Sequence, residues 1–248
     1  MAEAVRQPLL EPHRLRVRDA INGLLLSSVA GLIVTGWRLW GENDRLAGMT
    51  DAEFAEATFG PEVWGLGAAA LFQLFWIFWI GVSRNADPIR HFGLRFESAD
   101  VLLGVAGYVL VFGASWVAFN WIVSDSETDS GVESQVPGSL ANVPERYVLA
   151  LILIVGVAVP FIEEVFFRGM VLRALERGFG TVLAIVGSSV VFGLAHFRGF
   201  DTAGYAVIGF ATVAGLVFAA LTVYTGRIAA STIAHMLNNT IVMLLVTS

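Results

Sequence analysis

Residues 147–180 read YVLALILIVGVAVPFIEEVFFRGMVLRALERGFG, and the fold turns on how this stretch is parsed. Its first 16 residues carry no charge, which falls short of the roughly 20 apolar residues a helix needs to cross a hydrocarbon core about 30 Å thick. Glu163, Glu164 and Arg168 then break the apolar pattern. Yet no Pro lies between 161 and 178, and Met170, Val171, Leu172, Ala174 and Leu175 all suit a helix. The spacing therefore predicts one helix over roughly 147 to 177, about 45 Å long, with its carboxylates at membrane depth and Arg173, Glu176 and Arg177 in water. Pro160 removes one backbone hydrogen bond just before the carboxylates and is a site for a kink.

The rest of the 248-residue chain is of the same kind. It is 56% hydrophobic and 15% charged, with a mean hydropathy of +0.72. Charge-free runs cover 20–37, 63–83, 101–124, 147–162, 178–197, 202–226 and 228–248. These predict an all-α, polytopic integral membrane protein with about seven transmembrane helices, or eight, forming a single membrane domain over residues 1–248. The composition excludes a soluble enzyme, a nucleic-acid binder, a disordered chain and a disulfide scaffold. With no cysteine, any nucleophile or metal ligand must come from Ser, His, Asp, Glu or Asn.

Arginine sets the orientation. Assigning the inter-run segments alternately to two sides puts Arg6, Arg14, Arg16, Arg18, Arg84, Arg90, Arg95, Arg168, Arg173, Arg177 and Arg227 on one side, and Arg38, Arg45, Arg146 and Arg198 on the other. Arginine-rich loops stay in the cytoplasm, so the expectation is a multi-pass cell-membrane protein with a cytoplasmic N-terminus. The first run is expected to be a retained anchor. The opposite loops are acidic: Glu42, Asp44, Asp51, Glu53, Glu56 and Glu62 in one, and Asp125, Glu127, Asp129, Glu133 and Glu145 in the other, both read as solvated loops. The segment 124–146 has the composition of disorder. Tryptophans 37, 40, 64, 76, 79 and 121 read as headgroup anchors.

Ionisable groups inside a bilayer cost about 2.5 to 3.5 kcal/mol each on the lenient insertion scale, so they are functional candidates by default. Three clusters occur, all in the last hundred residues. In the first, Glu164 and Arg168 are four apart and can pair on one helical face, with Glu163 about 100° away. The second is Phe192-Gly-Leu-Ala-His196. The break Gly178-Phe-Gly180-Thr181 is centred at 179.5, which is also the mean of 163 and 196, so an antiparallel helix pair would set Glu163 and His196 level. A carboxylate and an imidazole so placed can activate water. The third is His235-Met-Leu-Asn-Asn239, whose His235 and Asn239 share a face. His235 lies eight residues past Arg227, roughly 12 Å into the membrane, so meeting the other clusters requires the long fourth helix to project about 10 Å into the cytoplasm.

Glu163-Glu164-x-x-x-Arg168, Phe192-x-x-x-His196 and His235-x-x-x-Asn239, in this order on successive apolar segments, resemble the three signature motifs of the CAAX protease and bacteriocin-processing membrane proteins, which include the Ras-converting CAAX endopeptidases. The resemblance covers about residues 145–245, the expected catalytic core. It implies an intramembrane endopeptidase acting on a membrane-associated or prenylated CAAX-type peptide or protein. In that reading Glu163 and His196 activate water, and His235 and Asn239 stabilise the oxyanion. Glu164 and Arg168 shape the site through their ion pair, and Phe192 packs beneath it. Glu163, His196 and His235 also make a His2Glu set of the kind that holds catalytic zinc or another divalent metal. Metal-independent glutamate chemistry is the preferred reading, because no His-Glu-x-x-His helix motif is present. Two rivals use the same residues: a proton-coupled transporter, and a non-catalytic immunity or scaffold protein.

Overall fold

The computed structural model describes residues 15–40, 43–46, 48–123, 148–150, 152–197, 200 and 202–247. Among them every regular element is helical: α1 (Val17–Leu39), α2 (Asp51–Ser83), α3 (Ala99–Val123), α4 (148–179), α5 (Thr181–Ala195), α6 (Thr202–Thr225) and α7 (Ala229–Thr247), with single turns at Asn43–Leu46 and Pro88–His91. Among the described residues five segments are long and apolar enough to cross a membrane: Val17–Leu39, Val63–Ser83, Ala99–Val117, Val148–Phe179 and Gly204–Thr225. Two apolar helices, Thr181–Ala195 and Ala229–Leu245, are shorter. The 178–197 run loses its first residues to the α4–α5 turn, where Gly180 takes φ +82°, and its helix stops at Ala195.

The parsing of 147–180 holds. Helix α4 runs through Glu163, Glu164 and Arg168 without a break and ends at Phe179. Around Pro160, Ile152–Ala158 and Val165–Val171 are π-helical, flanking a short α segment, Val159–Glu164. In a π turn the N–H donates to the carbonyl five residues back, and the widened turn before Pro160 lies where proline has no N–H to give.

Helix α4 is the spine of the molecule. The α1–α2 pair packs on one side of its middle, α7 on its first half and α5 on its second, while α6 packs between α5 and α7 and α3 joins α6 and α7. Close approach explains several glycines. A Cβ on Gly31 would sit 3.0 Å from the Gly65 carbonyl, and one on Gly156 would sit 2.6 Å from Thr240 Oγ1, so α1–α2 and α4–α7 pack backbone to backbone. The core centres on Phe92, Val165, Phe166, Phe167, Met170, Val171 and Phe192.

The first acidic loop is partly a helix. Helix α2 starts at Asp51, with Pro61 inside it, so Asp51, Glu53, Glu56 and Glu62 are helical. The signal was present as a capping box, Thr50 to Glu53: the Thr50 N–H donates to Glu53 Oε2 at 2.9 Å and Glu53 N–H donates back to Thr50 Oγ1 at 3.4 Å. Those two Thr50 donors, backbone and hydroxyl, hold the Glu53 carboxyl below its ordinary value. The segment 124–146, Arg198 and the arm before residue 15 lie outside the described residues.

The arginine-rich segments meet at one end of the bundle. Arg84 pairs with the buried Asp19 of α1 at 2.8 Å, and Trp76 Nε1 donates to the Asp19 carbonyl at 2.8 Å, so this tryptophan ties helices together. The Ile228 N–H donates to the Gly93 carbonyl at 3.1 Å, and Arg173 Nη2 donates to the Gly226 carbonyl at 3.1 Å. Arg227 reaches back to the buried Asp100 through Nε at 2.8 Å and to Glu97 at 2.9 Å. The hydrogen bonds to Asp100 push the Arg227 guanidinium above its ordinary pKa. Arg168 and Arg173 depart from the loop assignment, since both are buried in the structure.

Candidate active site

Nine residues separate Glu164 from Arg173 on α4, and nine separate Gly226 from His235 across the start of α7. The Arg173–Gly226 hydrogen bond ties the end of α4 to the turn before α7, and the packing of α7 on the first half of α4 brings His235 to Glu163 and Glu164. There His235 Nδ1 lies 3.0 Å from Glu164 Oε1 and His235 Nε2 lies 3.6 Å from Glu163 Oε2. The 100° between the two glutamates does not separate them functionally, because the imidazole presents a nitrogen to each.

The two carboxylates differ sharply in access. The Glu164 side chain is fully buried, whereas that of Glu163 keeps 14% of its surface. Arg168, 1% exposed, stands 3.4 Å from Glu164 Oε1 and donates from Nη2 to the Gly215 carbonyl at 3.3 Å. Its guanidinium lies 4.3 Å from the Phe192 ring centre, 5.3 Å from Phe218 and 5.9 Å from Phe167. Three aromatic faces thus cover a buried cation, replacing part of the hydration it has lost.

Histidine tautomers follow from the partners. A carboxylate ion-paired to arginine is an acceptor, so the Nδ1 contact is a donation from His235 to Glu164 Oε1. The His196 Nδ1 lies 2.8 Å from the Phe192 carbonyl, which only accepts, so that nitrogen carries a proton and donates it. His196 joins the cluster through the Phe192 ring, 4.5 Å from the His196 ring and 5.6 Å from that of His235. The hairpin register is the expected one: Phe167 and Phe192, whose mean is 179.5, meet at 5.0 Å. Even so, among the described residues the ion-pair partner of Glu163 is His235 rather than His196.

Asn239 sits one turn beyond His235 and donates from Nδ2 to the Val155 carbonyl at 3.3 Å, in the first π segment. Thr240 donates to the next carbonyl, Gly156, at 3.3 Å. One Asn239 amide hydrogen remains for a ligand. The possible metal set Glu163, His196 and His235 does not assemble: among the described residues no three His, Asp or Glu side chains stand close enough together to hold an ion. The chemistry available is that of an accessible carboxylate, two imidazoles with fixed tautomers and an amide.

Phe218 was not legible as a site residue. Fully buried on α6, it stacks on His235 with ring centres 4.9 Å apart and planes 24° apart. In an uncharged run nothing distinguishes it from a lipid-facing phenylalanine.

No curated protein and no solved structure matches this chain. Residues 145–241 match the family of Type II CAAX prenyl endopeptidase Rce1-like proteins, and since that span carries all three motifs and the cluster just described, its resemblance to the CAAX protease and bacteriocin-processing family is a finding of direct comparison.

Proposed function

We propose that the protein is an intramembrane endopeptidase that hydrolyses a peptide bond in a membrane-associated substrate, a prenylated CAAX-type tail being the first to test. One observation carries the reading: of two adjacent glutamates on one histidine, Glu164 is sealed and neutralised by Arg168, while Glu163 keeps contact with the outside. A general base must reach its water, and only Glu163 can.

Glu163 takes a proton from a water molecule, with His196 as the second polar group of the activating pair. The water oxygen then bonds to the scissile carbonyl carbon, and the π electrons of the C=O bond move onto its oxygen. Asn239 donates to that oxyanion, as does His235 when its Nε2 carries a proton drawn from solvent. Collapse of the intermediate breaks the C–N bond as the proton held by Glu163 passes to the leaving nitrogen, giving a carboxylic acid and an amine, and the acid then gives its proton to the amine or to solvent. No step in this scheme requires a metal. The clustering of arginine at the Arg173–Gly226 end supports a cytoplasmic N-terminus and a site approached from the cytoplasmic half of the bilayer.

The deciding experiment incubates purified protein in lipid vesicles with a farnesylated peptide ending in a CAAX sequence. Release of the C-terminal tripeptide is expected, and Glu163→Gln should lower kcat by about 100- to 10,000-fold. Full activity in a correctly folded Glu163→Gln preparation sinks the mechanism.

A further inference from the structure

We infer that Phe218 is a positioning residue that sets the plane of the His235 imidazole, and that it does so through its ring rather than its bulk. The inference rests on the proteolytic reading for its kinetic arm alone. His235 makes one hydrogen bond, Nδ1 to Glu164 at 3.0 Å, and its Nε2 stands 3.6 Å from Glu163 Oε2. The two nitrogens point apart in the plane of the ring, so holding both approaches at once requires a narrow range of the ring torsion. Approaches to flexible carboxylates do not fix that torsion by themselves, since terminal sp3–sp2 torsions are broad. A flat surface parallel to the ring does, and Phe218 supplies it at 4.9 Å and 24°. Phe192 closes the remaining side, meeting His235 edge to face at 5.6 Å and 83°.

Phe218 is itself held. It is fully buried, and its helix is tied to α4 where the Gly215 carbonyl, three residues earlier, accepts from Arg168. Its ring also lies 5.3 Å from the Arg168 guanidinium, so a single aromatic ring serves the cation that neutralises Glu164 and the imidazole that Glu164 orients. When His235 gains a second proton during catalysis, the same π face attracts the imidazolium.

Two variants separate ring from bulk. Phe218→Met keeps an unbranched apolar side chain of similar volume without a π face, and Phe218→Tyr keeps the ring. The first measurement is independent of cleavage: 15N spectra of histidine-labelled protein in detergent micelles, with His235 assigned by its loss in His235→Gln. Wild type and Phe218→Tyr should show one His235 tautomer, protonated on Nδ1, and Phe218→Met should show averaging between the two. The second is kinetic: Phe218→Met should lower kcat roughly 10- to 100-fold at nearly unchanged KM, and Phe218→Tyr should recover most of it. Should Phe218→Met fail to fold, as judged by size-exclusion chromatography, Phe218→Leu takes its place in both measurements. A Met or Leu variant with a single unshifted His235 tautomer overturns the inference, whatever the cleavage rate. Absence of cleavage by the wild type would instead overturn the proteolytic reading and leave the spectroscopic test to stand alone.

Discussion

Glu164 accepts from His235 on the same oxygen that faces Arg168, while its other oxygen, Oε2, is buried with no hydrogen-bond partner among the described residues. Such a carboxylate contributes to stability only as a member of its set. Arg168→Leu leaves a bare buried anion and should destabilise the fold by about 3–5 kcal/mol, read as a fall in the thermal midpoint in detergent. Glu164→Leu combined with Arg168→Leu should recover much of that loss, because both desolvation penalties vanish together. The double variant should nevertheless cleave poorly, since His235 loses the acceptor that fixes its tautomer. A double variant as active as wild type would show that the ion pair has no part in setting the site. The candidacy of Glu163, Glu164, Arg168, His196, His235 and Asn239 was readable from their intrusion into apolar runs. What could not be read was that one imidazole, His235, meets both carboxylates, because that depends on ring orientation, and Phe218 carries no charge to mark it.

Helix α4 is bound to α7 along a seam of small contacts: Gly156 against Thr240, Asn239 to the Val155 carbonyl and Thr240 to the Gly156 carbonyl. Gly156→Val forces these backbones apart and should cost about 1–3 kcal/mol. It should also reduce cleavage beyond what that stability loss explains, because Asn239 is levered off its acceptor; comparing activity with unfolding midpoint across temperature checks this. At the other end of the chain, the Thr50–Glu53 cap depends on an ionised carboxylate whose pKa is lowered by folding. Its contribution is therefore present above the ordinary carboxylate value and is lost as pH falls through the lower folded one. Amide exchange at Thr50 should accelerate across that acidic window and stay flat in Glu53→Gln. The continuity of α4 and the hairpin centre at 179.5 followed from charge spacing and turn residues. The π segments did not, because hydrophobic periodicity over seven residues does not distinguish π from α geometry, and Pro160 announces only that one hydrogen bond is missing.

For the molecule as a whole, the alternation of arginine became a physical grouping once Arg84, Arg173 and Arg227 were found stitching one end of the bundle. The chain has no cysteine, so a single introduced thiol reports its own side without background. Asn85→Cys should be blocked by a membrane-impermeant maleimide only in inverted vesicles, and Gly48→Cys only in intact cells; the reverse pattern would invert the topology. The partners that fix that end were less visible than its sign. Nothing in the sequence marks Asp19 or Asp100, and only their burial shows them to be the sockets for Arg84 and Arg227.

The Arg173–Gly226 bond at the arginine end and the His235–Glu164 bond farther in tie α4 to α7 at two fixed levels. Depth is then counted from the arginine seam and not from the middle of the bilayer, so the cut made by the proposed endopeptidase should be set by its distance from the surface on that side. Thickening the membrane with longer acyl chains would then move the far surface away and leave the cut where it was.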